Sequence, residues 1–110
     1  MATAYKVLGQ SNPSATTETT LYTVPSSTST VVSTIAICNQ AGSSATYRIA
    51  VRPSADATTT EKHYIVYGAT VGASDTTMLT LGVTLAAGDV IRVFGSTANL
   101  SFSAFGSEIS

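Results

Sequence analysis

Cysteine is almost missing from this sequence. Cys38 is the only one in 110 residues, so the chain cannot form an internal disulfide or a small secreted disulfide framework. The five Lys and Arg residues are scattered, whereas a nucleic-acid-binding surface needs them clustered. No apolar run approaches the roughly 20 residues of a membrane-spanning helix, and the first ten residues lack the apolar stretch of a signal peptide. We therefore expect no nucleic-acid partner, no membrane contact, and synthesis in a cytoplasm without a visible export signal.

Charge is also scarce. Charged residues make up 10% of the chain and the net charge is −1, whereas charged residues are about 25% of an ordinary globular domain. Two interpretations fit this scarcity. Either Ser and Thr hydroxyls keep a β-domain soluble, or neighbouring proteins cover much of the surface in an assembly. The 44% of hydrophobic residues argues against disorder, and the length fits one domain, residues 1–110.

Alternation of apolar and polar residues with a period of two recurs along the chain and predicts β-strands. No segment has a convincing helical period with caps, so we expect little or no helix. The fold class predicted is all-β, a single antiparallel β-sandwich of the jelly-roll or immunoglobulin-like type. About eight strands are expected, at Thr3–Gly9, Thr17–Val24, Val31–Cys38, Thr46–Arg52, Lys62–Tyr67, Asp75–Leu85, Val90–Gly95 and Leu100–Ile109.

The segment 27–53 is interpreted as a hairpin at the centre of the sandwich, with residues 39–44 as its turn. Its first strand is apolar on both faces, as expected of a central strand, and Val31, Ile35 and Ile37 are placed on one face. Segments 54–61 and 68–74 are predicted to be loops. A bulge or bend is expected at Gly82 inside the sixth strand.

Few residues offer chemistry. His63, the only histidine, would need an orienting carboxylate and a nucleophile to act as a base. We interpret it as a surface residue on a strand, with Glu61 on the same face. Cys38 is expected to be a buried structural thiol. Calcium binding by loop carboxylates is considered and disfavoured, because the chain has no Asp-rich loop motif. The loop carboxylates considered as calcium ligands are Asp56, Asp75 and Asp89. No catalytic, cofactor-binding or metal-binding residue is predicted.

The tyrosines allow two interpretations. Tyr47, Tyr64 and Tyr67 are expected to pack in the core or at its rim, and the alternative is a patch that binds sugar or protein. Unpaired edge strands must be covered or blunted, and the first and last strands are our candidates for interface edges. The predicted interface residues are Tyr5, Lys6, Tyr64, Tyr67, Phe102 and Phe105.

Nearly the whole chain resembles the small virion structural proteins of tailed bacteriophages, including cyanophages. The most specific segments are YKVLGQ (residues 5–10), LYTVP (residues 21–25) and STANLSFSAFGSEI (residues 96–109). This resemblance brings no catalytic residue and no cofactor. It implies a particle component located in the virion, and it is compatible with head, neck, tail or baseplate positions.

The resulting hypothesis is a non-enzymatic decoration or cement protein that bridges major capsid subunits. Closed symmetry is the usual form of such oligomers, so we expect a trimer or a ring. A neck, tail or baseplate accessory module, with exposed tyrosines contacting a host surface, is the alternative. An enzyme, such as a cell-wall hydrolase accessory, is disfavoured because no carboxylate pair, triad or metal set is visible.

Overall fold

Eight β-strands form two four-stranded antiparallel sheets in the computed structural model, which describes residues 2–110. The only helix among these residues is a three-residue 3₁₀ helix, Glu61–His63. The prediction of an all-β sandwich with about eight strands is confirmed. The strands are β1 (Thr3–Ser11), β2 (Thr19–Thr23), β3 (Ser29–Asn39), β4 (Ala45–Arg52), β5 (Tyr64–Val71), β6 (Thr76–Leu85), β7 (Val90–Gly95) and β8 (Leu100–Ile109).

The strand order is that of a jelly roll. The first sheet has the order β1-β8-β3-β6 and the second has the order β2-β7-β4-β5. Consecutive strands therefore lie in different sheets, with β4 and β5 as the exception, and this alternation distinguishes the jelly roll from the immunoglobulin-like arrangement. The predicted central hairpin is wrong, because β3 pairs with β6 and β8 whereas β4 pairs with β5 and β7.

Asn39 explains why the chain crosses between the sheets after β3. Its side chain is 1% exposed. The amide group donates to the carbonyl oxygens of Ser43 at 2.9 Å and Gly72 at 3.1 Å, and its oxygen accepts the backbone N–H of Ala41 at 3.0 Å. These hydrogen bonds of the buried amide hold the connection at residues 40–44 against residue 72, so this connection does not fold back as a hairpin turn.

Bulges shift the alternation of faces in the first sheet. Ser33 is an extra residue of β3 relative to β8, and Leu8 is an extra residue of β1. Because a side-chain period of two reverses at each extra residue, Val31 points outward while Ile35 and Ile37 point into the core. The prediction that these three residues share one face is therefore wrong. At Gly82, where a bulge or bend is expected, the pairing of β3 with β6 shifts so that Leu81 and Gly82 lie opposite Ser33, while the alternation of faces along β6 itself is unbroken.

The core lies between the two sheets, and Phe102 is fully buried there. The ring of Tyr47 contacts it edge-on, with a centroid separation of 6.3 Å. The prediction of Phe102 as an interface residue is therefore wrong. The expectation that β8 is an edge strand is also wrong, because β8 lies between β1 and β3. Other fully buried side chains are Val24, Val32, Ile35, Ile37, Ile49, Val71, Ile91, Val93 and Leu100.

Four strands form the sheet edges: β1 and β6 in the first sheet, β2 and β5 in the second. The edge position expected for the first strand is confirmed. β5 continues to Val71, so the predicted loop at 68–74 begins four residues too early. Gly68 lies inside β5 with a φ of 78° and forms a bulge opposite β4, which is why a strand can pass through it.

Candidate functional site

Residues 2–110 place no charged side chain on the outer face of the first sheet, and we call it the uncharged face. Strand pairing and alternate burial define it. Water-exposed surfaces of domains usually have about a quarter to a third charged residues, so the composition of this face is unusual. Its side chains are Thr3, Tyr5, Val7, Gln10, Ser29, Val31, Thr34, Ala36, Cys38, Thr76, Met78, Thr80, Thr84, Ser101, Ser103, Phe105, Ser107 and Ile109.

Large apolar groups are exposed on this face. Tyr5 is 86% exposed, Met78 60% and Val7 48%. A depression of about 440 Å³ lies beside Tyr5 and is lined in part by Val31 and Phe105. The face combines hydroxyls with apolar groups and lacks charge, which is the character of a surface that packs against protein.

Two further residues of the first sheet, Cys38 and Lys6, differ from the sequence-based expectation or carry a charge near the uncharged face. Cys38 is half-buried on the uncharged face, so the expectation of a buried thiol is wrong. Lys6 lies at one end of the sandwich, where its Nζ is 2.9 Å from Glu108 Oε1. Lys6 also lines the depression beside Tyr5, and its charge there is paired with that of Glu108.

The outer face of the second sheet carries a row of aromatic and arginine side chains. Arg48 on β4 lies directly opposite Phe94 on β7 and Tyr67 on β5. Its guanidinium carbon is 4.2 Å from the centroid of each ring, so the cation lies between them. Arg48 has no carboxylate partner among residues 2–110, and its stabilisation comes from the two ring faces.

Glu18 connects this row to Arg92. One carboxylate oxygen accepts the Tyr64 hydroxyl at 3.1 Å and the other accepts Arg92 Nε at 3.1 Å. Burial raises the pKa of Glu18, but hydrogen bonds from Thr59, Arg92 and Tyr64 and the positive charge of Arg92 outweigh it, so the pKa is lowered. Burial and the Glu18 hydrogen bond raise the pKa of Tyr64.

Ala50 lies beneath this bridge. It is directly opposite Tyr64 and Arg92 in the sheet, and it is fully buried although it faces outward. Because the Ala50 side chain is small, there is room above it for the Glu18 carboxylate, which accepts hydrogen bonds from both Tyr64 and Arg92. We call the set Arg48, Tyr64, Tyr67 and Phe94, with Glu18 and Arg92 behind it, the aromatic cluster.

A bulge in β5 brings the two tyrosines of the aromatic cluster together. Residues three apart in a regular strand point to opposite faces, but Ile65 is an extra residue opposite β4. Tyr64 and Tyr67 therefore share the outer face, with ring centroids 4.9 Å apart and ring planes at 85°. Tyr67 is 64% exposed, so the expectation that it packs with the core is wrong. With Glu61, the two rings line an open depression of about 380 Å³.

His63 is buried and lies in the 3₁₀ helix, so its interpretation as a surface residue on a strand is wrong. Its Nδ1 accepts the backbone N–H of Thr60 at 2.9 Å, and its Nε2 is 2.8 Å from Asp56 Oδ2. A nitrogen that accepts a backbone N–H carries no proton, so Nε2 donates to Asp56. This hydrogen bond lowers the pKa of Asp56. Both ring nitrogens are used to fix the loop at 53–63.

The three loop carboxylates weighed as calcium ligands lie apart and bind backbone or side-chain groups. Asp75 Oδ1 accepts the N–H of Thr76 at 2.8 Å. Asp89 accepts the N–H groups of Ser54 and Ala86 at 3.0 and 2.9 Å. Within residues 2–110, no three His, Cys, Asp or Glu side chains are placed to hold a metal ion.

A hydrogen-bond network joins the two sheets at one end of the sandwich. The Tyr22 hydroxyl, from the second sheet, lies 2.8 Å from Thr30 Oγ1 and 2.5 Å from Glu108 Oε2, both in the first sheet. Burial and the bond to Glu108 raise the pKa of Tyr22 to about 12. Hydrogen bonds from Tyr22 and Lys6 lower the pKa of Glu108. The network acts as a polar clasp between the sheets.

Of the predicted interface residues, Tyr5 and Phe105 lie on the uncharged face and Tyr64 and Tyr67 lie in the aromatic cluster. The two groups are on opposite sides of the sandwich. Sequence reasoning missed Arg48, Phe94 and Glu18, because their contacts depend on which strands pair. A weak signal for Arg48 exists in the sequence, since the period of two in residues 46–52 puts it on the face opposite Tyr47 and Ile49.

Comparison with known proteins finds a similar fold but no related sequence. No protein-family model and no curated protein sequence matches the chain. A solved structure, that of infectious bursal disease virus, Gt strain, contains a chain similar to this one with a TM-score of 0.50 and 9% identity. The similarity covers 96% of this chain and 31% of that chain. The three-residue 3₁₀ helix is far too short to span a bilayer, and residues 2–110 contain no other helix. The likeness supports the β-sandwich and leaves the family open.

Proposed function

We propose that this chain is a non-enzymatic structural component of a virus particle, a decoration protein that docks its uncharged face across neighbouring shell subunits. The observation that carries the proposal is the uncharged face itself, a whole sheet surface on which residues 2–110 place no Asp, Glu, Lys, Arg or His side chain. The resemblance to small phage virion proteins supports a tailed-phage particle and the major capsid protein as partner. The fold it shares with a chain from a virus structure is compatible with this proposal.

The size of the uncharged face fits this role. Four strands of about ten residues cover roughly 600 Å² at the usual strand rise and spacing, close to the roughly 800 Å² that each partner buries in a stable complex. Exposed Tyr5 and Met78 supply apolar anchors, and the hydroxyls both donate and accept hydrogen bonds. A modest contact is sufficient when many copies bind equivalent positions and form a trimer or ring.

Reconstitution on particles tests this proposal. Purified chain is added to tailed-phage heads that lack it, and the heads are sedimented and then heated until they release DNA. We expect the chain to co-sediment and to raise the release temperature, because it bridges adjacent subunits. Equal survival of heads with and without the chain would refute the cement role.

A single charge on the uncharged face makes the test specific. Met78→Glu introduces an unpaired carboxylate where a partner excludes water, and this should abolish co-sedimentation. The matched control is Thr70→Glu, an exposed position on β5 in the other sheet, which should leave binding unchanged. Both side chains are exposed, so both variants should fold. Equal binding by the two variants would exclude the uncharged face as the docking surface.

The aromatic cluster favours a second candidate, a neck, tail or baseplate module that contacts a host surface. Exposed Tyr67 and the loop at 53–61 would then make the contacts. Antibody labelling of intact particles separates the two positions. Label found only on the head contradicts the tail assignment, and label found only on the tail contradicts the decoration assignment.

A further inference from the structure

We propose that the aromatic cluster is a carbohydrate-binding site that takes a neutral pyranose ring, with Tyr67 as the stacking surface and Glu61 as a hydrogen-bond acceptor. The two residues line the same open depression, together with Tyr64. Tyr67 is 64% exposed and Glu61 is exposed. An exposed ring beside a free carboxylate offers one apolar and one polar contact to the same small ligand.

The stacking surface is held in place before a ligand arrives. Arg48 lies 4.2 Å from the Tyr67 ring centroid, and the Tyr64 ring meets it nearly at right angles. Tyr64 is itself fixed by its hydrogen bond to Glu18. Ordering a free side chain on binding is costly, so a tyrosine that is already fixed can bind a small ligand with less loss of entropy. The β5 bulge at Ile65 produces this arrangement, and bulges are frequent beside functional sites.

The charges around Tyr67 decide the class of ligand. A cation is disfavoured because the Arg48 guanidinium already lies on the ring. An anion is disfavoured because Glu61 has no cationic partner among residues 2–110, and its carboxylate would repel a second negative charge. A pyranose satisfies both conditions, since it is neutral, has an apolar C–H face, and carries hydroxyls that donate to a carboxylate.

The aromatic cluster remains accessible when the chain is docked by its uncharged face. It lies on the outer face of the second sheet, opposite the uncharged face. A copy that docks by its uncharged face would turn the aromatic cluster away from the particle, with its depression open to ligands in solution. Sugar binding by the isolated chain is independent of docking, so the two proposals can fail separately.

The test is an NMR titration of the isolated, isotope-labelled chain with maltotetraose, chitotetraose and cellotetraose. We expect saturable shifts at Glu61, Tyr64, Tyr67 and Gly68 with at least one of these sugars, at millimolar affinity. Tyr67→Ala should weaken that binding about tenfold, the value expected for loss of one stacked ring. Tyr5→Ala is the matched control: it removes a more exposed tyrosine from the other sheet and should leave the affinity unchanged.

Three results would overturn the proposal. One is the absence of saturable shifts at Tyr67 with all three sugars. Another is equal loss of binding in Tyr5→Ala and Tyr67→Ala, which would indicate nonspecific contact with exposed rings. The last is tighter binding at Tyr67 of phosphocholine, a sulfated oligosaccharide or a proline-rich peptide than of any neutral sugar. Thermal unfolding of each variant verifies that it is folded.

Discussion

Phe102 and Phe105 are three residues apart on β8, and the structure predicts opposite consequences for their removal. Phe102 is fully buried against Tyr47 at the centre of the core, whereas Phe105 faces outward on the uncharged face. Replacing a buried phenylalanine by alanine costs about 3–5 kcal/mol, from lost burial and the cavity left behind. For a chain of this length that lowers the melting temperature by roughly 13–22 °C.

Phe105→Ala should lower the free energy of unfolding by less than about 1 kcal/mol, because its ring is partly in water already. Thermal and urea unfolding, followed by circular dichroism, measure both variants against the parent chain. In the reconstitution assay the order should reverse among folded chains, with Phe105→Ala binding particles more weakly than the parent. Similar losses of stability in the two variants would contradict the placement of Phe105 on the outer face of β8, and with it the uncharged face.

Three other substitutions test separate parts of the fold. Tyr22→Phe removes the clasp and leaves Thr30 without its partner, so it should cost about 1–3 kcal/mol. The pKa of Tyr22 in the folded chain, about 12, lies above its ordinary value of 10. The parent chain should therefore lose stability as pH rises from 10 to 12, and Tyr22→Phe should lose less. An identical dependence of stability on alkaline pH in the two chains would contradict the clasp. His63→Ala should release the loop at 53–63, seen as faster proteolysis there with the strands intact, and unchanged cleavage would show that His63 does not hold the loop. Gly106→Ala places a Cβ 2.0 Å from the Val31 carbonyl oxygen, so it should fold poorly or not at all; a melting temperature equal to that of the parent would refute the close approach of β3 and β8.

The existence of the strands could be predicted from the sequence, but their partners could not. The period of two in residues 46–52 and 79–85 depends only on which side chains face the core, and it is seen in the structure. Pairing depends on the connections. The polar segment 39–44 has the composition of a hairpin turn, yet the contacts of Asn39 with Gly72, 33 residues away, make it a crossing between sheets.

The positions of the bulges were the second feature of the fold that could not be predicted from the sequence. Ser33 gives no local signal that it is an extra residue, because the shift arises from the pairing of β3 with β8. Gly68 and Gly106 do offer a signal, since glycine inside a strand often marks a bulge or a close backbone approach. The aromatic cluster could not be predicted for the same reason. It needs the register of β4 with both neighbours and the extra residue at Ile65.

The edge strand β6 has a consequence for the free protein. Its ten residues, Thr76–Leu85, contain neither a charged side chain nor a proline, and one side of the strand has no partner strand in residues 2–110. Uncharged, open edges of this kind can recruit strands from other molecules into growing stacks. Concentrated solutions of the chain are therefore at risk of fibrous association along β6, and any partner that covers this edge would protect it.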